Sequence, residues 1–165
     1  MVLIIHNGDG EKAIGDYDGD GKNDPATFAN GGGGVGQFKV TLSGGGTMTE
    51  NFGTSDDTVV TGDYDGDGKT DFAVLRPDGP LLRWDYDPSS EPGITVVSDT
   101  WGLVESDLPV PGDYTGDGKW DYAVWREASQ GEFFIMTPIT RSIFRKPWGL
   151  GGDTPAAFVL VPHYL

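Results

Sequence analysis

Apolar residues in this chain come in short runs, each bounded by glycine, proline, aspartate, asparagine or serine. That punctuation predicts many short β-strands and no amphipathic helix. The clearest stretch predicts strands Thr58–Thr61, Phe72–Arg76, Leu81–Tyr86 and Ile94–Asp99, with turns at Pro77-Asp78-Gly79 and across Pro88–Gly93. The same order recurs as Tyr122–Arg126, Glu132–Met136 and Arg141–Phe144, and more loosely as Pro25–Phe28, Gln37–Leu42 and Thr47–Asn51. An aromatic-glycine pair ends each stretch, at Phe52-Gly53, Trp101-Gly102 and Trp148-Gly149. Phe72, Ala73, Val74 and Leu75 are apolar at both parities, which predicts a strand covered on both faces.

A nine-residue acidic loop sets the period. It reads Asp16-Tyr17-Asp18-Gly19-Asp20-Gly21-Lys22-Asn23-Asp24, then Asp63-Tyr64-Asp65-Gly66-Asp67-Gly68-Lys69-Thr70-Asp71, then Asp113-Tyr114-Thr115-Gly116-Asp117-Gly118-Lys119-Trp120-Asp121. The glycines just before the loops, Gly15, Gly62 and Gly112, are 47 and 50 residues apart. A period of that length matches four-stranded propeller blades. One repeat domain over 1–165 follows, with units near 10–56, 57–106 and 107–152 and a partial unit over 153–165. Asp153–Pro162 reads as the start of a fourth unit without its loop, and Val2–Ile5 as a lone strand. The architecture expected is all-β, with three four-stranded blades whose ring is closed by oligomerisation through open edges.

Carboxylates at alternate positions of a tight loop point at one centre. Two such charges about 4 Å apart repel by roughly 4 kcal/mol at an effective dielectric near 20. A divalent cation offsets this, and oxygen-only ligands in a flexible loop favour Ca²⁺. The expected ligands are positions 1, 3, 5 and 9: Asp16, Asp18, Asp20 and Asp24; Asp63, Asp65, Asp67 and Asp71; Asp113, Thr115, Asp117 and Asp121. Position 7 adds the backbone carbonyls of Lys22, Lys69 and Lys119, with the lysine side chains reaching into solvent. Position 6 is glycine in every copy, as a sharp turn requires. Thr115 removes one charge from the third loop, so weaker binding is expected there. Read as turns alone, the Asp-Gly pairs need no metal; their recurrence in matching contexts argues for one.

Net charge is −15; six positive charges from three bound Ca²⁺ would leave −9. That remaining acidity argues against nucleic acid and anionic membranes as partners. Cysteine is absent, and no apolar run approaches the ~20 residues that span a bilayer. Met1–Ile5 does not read as a signal peptide. Filling loops of modest affinity needs high calcium, which places the expected site of action outside the cell or at its surface.

Gly62–Pro77 resembles the bacterial FG-GAP/VCBS-type repeat, whose wider family includes the blades of integrin α-subunit propellers. The resemblance extends through the three units. It implies β-propeller blades, Ca²⁺ in the loops, and extracellular adhesion or binding. The chain has three units where such propellers have six to eight blades, and this underlies the expectation of a homo-oligomer.

His6 and His163 are the only histidines, so neither a catalytic triad nor a zinc ligand set is legible. The Gly31–Gly36 segment lacks the Lys-Ser/Thr of a phosphate loop and reads as a hairpin turn. Paired carboxylates for glycoside cleavage are present in number, but the loops account for them. Trp120, at position 8 of the third loop, is expected to face outward, as a contact for a sugar or protein or packed on an adjacent loop. Trp84, Trp101, Trp125 and Trp148 are expected in the core. The function expected is a non-enzymatic Ca²⁺ module for adhesion or for glycan or protein recognition. The alternatives are a self-assembling structural subunit and the accessory propeller of a polysaccharide-degrading enzyme.

Overall fold

A computed structural model describes residues 15–156, and these form three small antiparallel sheets with no helix among them. Sheet one comprises β1 (Ala26–Gly32), β2 (Val35–Thr41) and β3 (Thr47–Thr54). Sheet two comprises β4 (Thr58–Val59), β5 (Phe72–Asp78), β6 (Leu81–Asp87) and β7 (Val97–Leu103). Sheet three comprises β8 (Asp107–Pro109), β9 (Tyr122–Arg126), β10 (Gln130–Met136) and β11 (Ile143–Leu150). Strands lie in chain order within every sheet. The all-β expectation holds. Two sheets have the four strands expected, and sheet one has three among the described residues. The proposed strand at Val2–Ile5 and most of the partial fourth unit lie outside those residues.

Local chemistry explains the elements. β5 and β6 pair in unbroken register from Phe72 opposite Asp87 to Asp78 opposite Leu81. The two-residue turn between them uses Gly79 at φ 59°, a backbone conformation that residues with a side chain adopt less readily. The last strand of sheet two starts later than its apolar pattern predicts, at Val97 rather than Ile94. Glu91 N–H bonds to Pro88 O, Ile94 N–H to Glu91 O, and Gly93 N–H to the Asp87 carboxylate, so this stretch stays in a turn. In sheet three, Thr137 N–H to Ser142 O and Arg141 N–H to Thr137 O likewise delay β11. Both strands therefore run on through their aromatic-glycine pairs.

The core lies where sheets meet. Val74 and Leu75 of β5 and Ala123, Val124 and Trp125 of β9 are fully buried, as a strand covered on both faces should be. Phe72 stacks on Tyr17 at 5.0 Å and packs on Phe38, tying sheet one to sheet two. Tyr64, Tyr86, Trp84 and Tyr122 form the corresponding aromatic cluster between sheets two and three. A polar elbow recurs beside it. Asp57 accepts the Thr54 amide and pairs with Arg76 at 2.7 Å. Asp107 accepts the Leu103 amide and takes both ends of the Arg126 guanidinium at 2.6 and 2.8 Å. With Asp107 wholly covered, a charge-assisted pair of this geometry resists loss of either partner.

Two tryptophans differ from expectation. Trp148 is 71 % exposed, whereas its counterpart Trp101 is half-buried and donates to Phe134 O in sheet three. Trp101 has a following sheet to cover it, and Trp148 has none among the described residues. Trp120 does not face outward. Its amide donates to Asp63 O at 2.7 Å and its ring lies over Gly62 and beside Tyr64. Thr70 makes the same move one sheet earlier, donating to Asp16 O at 2.7 Å, and is itself buried. Position 8 of each later loop is thus the foot that stands on the preceding loop.

A Cβ at Gly62 would sit 2.1 Å from the Trp120 ring, while one at Gly112 would meet, among the described residues, only Tyr114, at 3.5 Å. Gly62→Leu should therefore cost about 3 kcal/mol or more by overpacking. Gly112→Leu should fall within roughly 1 kcal/mol of the parent. Urea denaturation of the two variants checks the contrast.

Candidate metal centres

The loops share one internal scaffold. Position 9 closes back on the residue before position 1: Asp24 N–H to Gly15 O, Asp71 N–H to Gly62 O and Asp121 N–H to Gly112 O, at 2.7 to 2.8 Å. The position 1 carboxylate accepts the amides of both loop glycines. For Asp16 these are Gly19 and Gly21, for Asp63 Gly66 and Gly68, and for Asp113 Gly116 and Gly118. Those glycines all have φ between 74° and 92°, so the amides point inward only because no Cβ forbids it. The position 9 carboxylate takes the amide of the tyrosine at position 2, at 2.8 Å for Tyr17, 2.7 Å for Tyr64 and 2.9 Å for Tyr114.

Within this scaffold two aspartate triads converge. Asp16, Asp18 and Asp24 each bring a carboxylate oxygen within 4.8 Å of the others, and so do Asp63, Asp65 and Asp71. In both, the outer two members are buried and the middle one half-buried. Position 5 is not part of either triad. Asp20 accepts the Ser43 hydroxyl and Lys22 Nζ, and Asp67 accepts the Ser89 hydroxyl. In the third loop, Asp113, Asp117 and Asp121 do not converge in this way, and Thr115 stands where the middle aspartate would be.

The turns after β2 and β6 supply groups that sequence reasoning missed. Ser43 N–H donates to Asp24 Oδ1 and Ser89 N–H to Asp71 Oδ1, both at 2.7 Å. Ser90 adds its hydroxyl to Asp65 at 2.7 Å. In sheet three the equivalent position, two residues beyond the partner of Tyr122, is Pro138, which has no N–H. Asp121 Oδ1 is accordingly buried without a hydrogen-bond partner. The signal was available as a serine two residues past the strand in two units and a proline in the third.

The electrostatics follow from this packing. Burial pushes the Asp71 carboxyl up to about 6, and the Asp65 charge adds to the shift. Burial also raises Asp121. At Asp65 burial acts in the same sense, but bonds from Ser90 and the Asp67 amide outweigh it and hold the group below its usual value. The Ser43 hydroxyl, with Lys22, lowers Asp20. The lysines do not simply reach into solvent. Lys69 lies over Gly19, and Lys119 lies over Gly66 and donates Nζ to Asp65 O. Lys22 alone stands out, its side chain 69 % exposed.

The donor set is all oxygen, concentrated, and incompletely neutralised, which suits a hard divalent cation over a softer metal. No protein-family model, no curated protein and no solved structure matches this chain.

An acid whose pKa is raised on folding stabilises the fold while protonated, and that contribution is lost as pH rises through the folded value. In metal-free solution Asp71 should therefore lower stability as pH climbs from its ordinary 3.8 to about 6. The loss should be on the order of 2–3 kcal/mol. Asp71→Asn should flatten the profile in that window. Urea midpoints of both chains, stripped of metal and compared at about pH 4 and about pH 7, test the difference.

Proposed function

We propose that this chain is a non-enzymatic calcium-binding module that acts outside the cell in adhesion or in recognition of a glycan or protein. Its sheets would be propeller-type blades of the FG-GAP/VCBS kind. The observation that carries this reading is the pair of aspartate triads, held at the same three positions of two loops by the same backbone bonds. Such a triad concentrates negative charge that backbone amides only partly compensate. A calcium-sized ion would complete the compensation, with Asp16, Asp18 and Asp24 as ligands in one loop and Asp63, Asp65 and Asp71 in the next.

The role of the ion in this reading is structural. In sheet two the loop joins β4 to β5, so closing it fixes the entry to the buried central strand. The rigid loop face then presents a surface that a flexible chain of like charges would not hold. Asp67, Ser89 and Ser90 lie at the loop rim and are placed to complete the coordination sphere or orient its waters. The third loop would bind more weakly, because Thr115 lacks a carboxylate and Pro138 leaves Asp121 without its amide. A second reading, a self-assembling subunit, draws on the uncovered face of sheet three around Trp148.

Calorimetric titration of the metal-free chain should find two calcium sites stronger than any third. Asp16→Asn and Asp63→Asn should each remove one. Calcium at about 100 times its Kd should raise stability by about 2.7 kcal/mol per site. Absence of binding at millimolar calcium would sink the reading.

A further inference from the structure

We propose that the outer face of sheet three docks sheet one of a second copy of this chain, head to tail. The argument starts from a joint that the chain builds twice. In both cases an incoming loop plants its position 8 amide on the position 1 carbonyl of the loop before it, Thr70 on Asp16 and Trp120 on Asp63. In both, its position 7 lysine crosses the first loop glycine of that loop, Lys69 over Gly19 and Lys119 over Gly66. The receiving side is therefore a defined seat, made of a carbonyl and glycines.

Sheet three carries the same seat, and no described residue occupies it. A Cβ at Gly116 would have nothing within 4 Å, where one at Gly66 would meet Lys119 at 2.9 Å. Gly112 is more telling. It is not among the positive-φ glycines, so its backbone does not need to lack a side chain. Its counterpart Gly62 lacks one because Trp120 lies on it. Around this seat apolar surface is uncovered. Tyr114 is 38 % exposed where Tyr64 is 1 %, and Trp148 projects beside a cleft of about 430 Å³ that it lines with Phe133. Asp153 accepts the Leu150 amide at 2.8 Å, as Asp107 accepts that of Leu103, but no arginine bridges it among the described residues.

Sheet one carries the matching foot. Lys22, at position 7 of its loop, is exposed, and Asn23 follows at position 8. Exposed Lys39 holds the register position that Phe134 holds in sheet three, each opposite the third residue of the strand pattern that follows the loop. Lysines on this face meet the exposed Asp113 and Asp117 on the other, so the two surfaces are complementary in charge as well as in build. Ala29 stands where Arg76 and Arg126 stand, so the elbow pair at Asp153 is not remade. The joint between copies is thus weaker than the joints within one, and association depends on concentration. The contact is heterologous, so it forms a closed ring or an open chain according to the angle between copies.

None of these contacts is made by a triad carboxylate. Assembly without calcium binding would overturn only the cation reading, and calcium binding without assembly only this one. Sedimentation velocity of the full chain from about 5 to about 200 µM should show species heavier than the 17.6 kDa monomer, increasing with concentration. Gly112→Leu, which fills the seat, should weaken association at least tenfold while melting like the parent. Trp148→Ser should do the same through a side chain that is 71 % exposed, and it decides the question if Gly112→Leu melts early. Lys22→Glu should block the opposite face. An equimolar mixture of Gly112→Leu and Lys22→Glu has one intact pair of faces and should give dimers and nothing larger. A parent chain monomeric throughout the range, a Trp148→Ser chain that assembles as the parent does, or a mixture that stays monomeric would overturn the inference.

Discussion

Each acidic loop turns its backbone amides inward onto two carboxylates, and the fold is built around keeping that arrangement closed. Position 1 takes two glycine amides and position 9 takes the tyrosine amide, so the carboxylates do the work of a turn's missing hydrogen bonds. Glycine is required wherever an amide must point inward at positive φ. The tyrosine that donates its amide sends its ring into the core, where Tyr17 meets Phe72 and Tyr64 meets Tyr86. Loop closure and core packing are therefore the same event seen from two sides. Adding a third carboxylate at position 3 concentrates like charge, which a bound cation would offset.

The same economy governs how the sheets join. A loop that is closed presents a carbonyl and glycines to its neighbour, and the neighbour answers with an amide, a lysine and, in sheet three, an indole. At the far end of the joint an arginine meets a covered aspartate. Apolar burial between these polar ends supplies most of the stabilisation, since Val124, Tyr122, Trp84 and Tyr64 lose nearly all their accessible surface. The polar ends fix which residues meet. On sheet three, which no further sheet covers among the described residues, Tyr114 is 38 % and Trp148 71 % exposed.

Much of this was legible in the sequence because it is local. Loop spacing, the central strands β5 and β9, and the aspartates of the triads all follow from residues within a few positions of one another. What escaped is long-range. Trp120 reads as an outward aromatic or as one packed on an adjacent loop; the second holds, and its seat at Gly62, more than fifty residues earlier, is what local sequence does not identify. Ser43 and Ser89 look like turn residues, yet each caps an aspartate about twenty positions back. The late starts of β7 and β11 arise from turn hydrogen bonds that compete with apolar residues such as Ile94, which periodicity alone assigns to strand. Position 5 looks equivalent to positions 1, 3 and 9 in spacing, but Asp20 and Asp67 lie outside the triads, Asp20 bonded to Ser43 and Lys22 and Asp67 to Ser89.

The central claim is that the two triads are cation sites. Anomalous diffraction from crystals grown in calcium tests it most directly. The account predicts one peak among Asp16, Asp18 and Asp24 and another among Asp63, Asp65 and Asp71, each at about 2.3–2.6 Å from carboxylate oxygens. Ordered loops with no peak at either triad would contradict it.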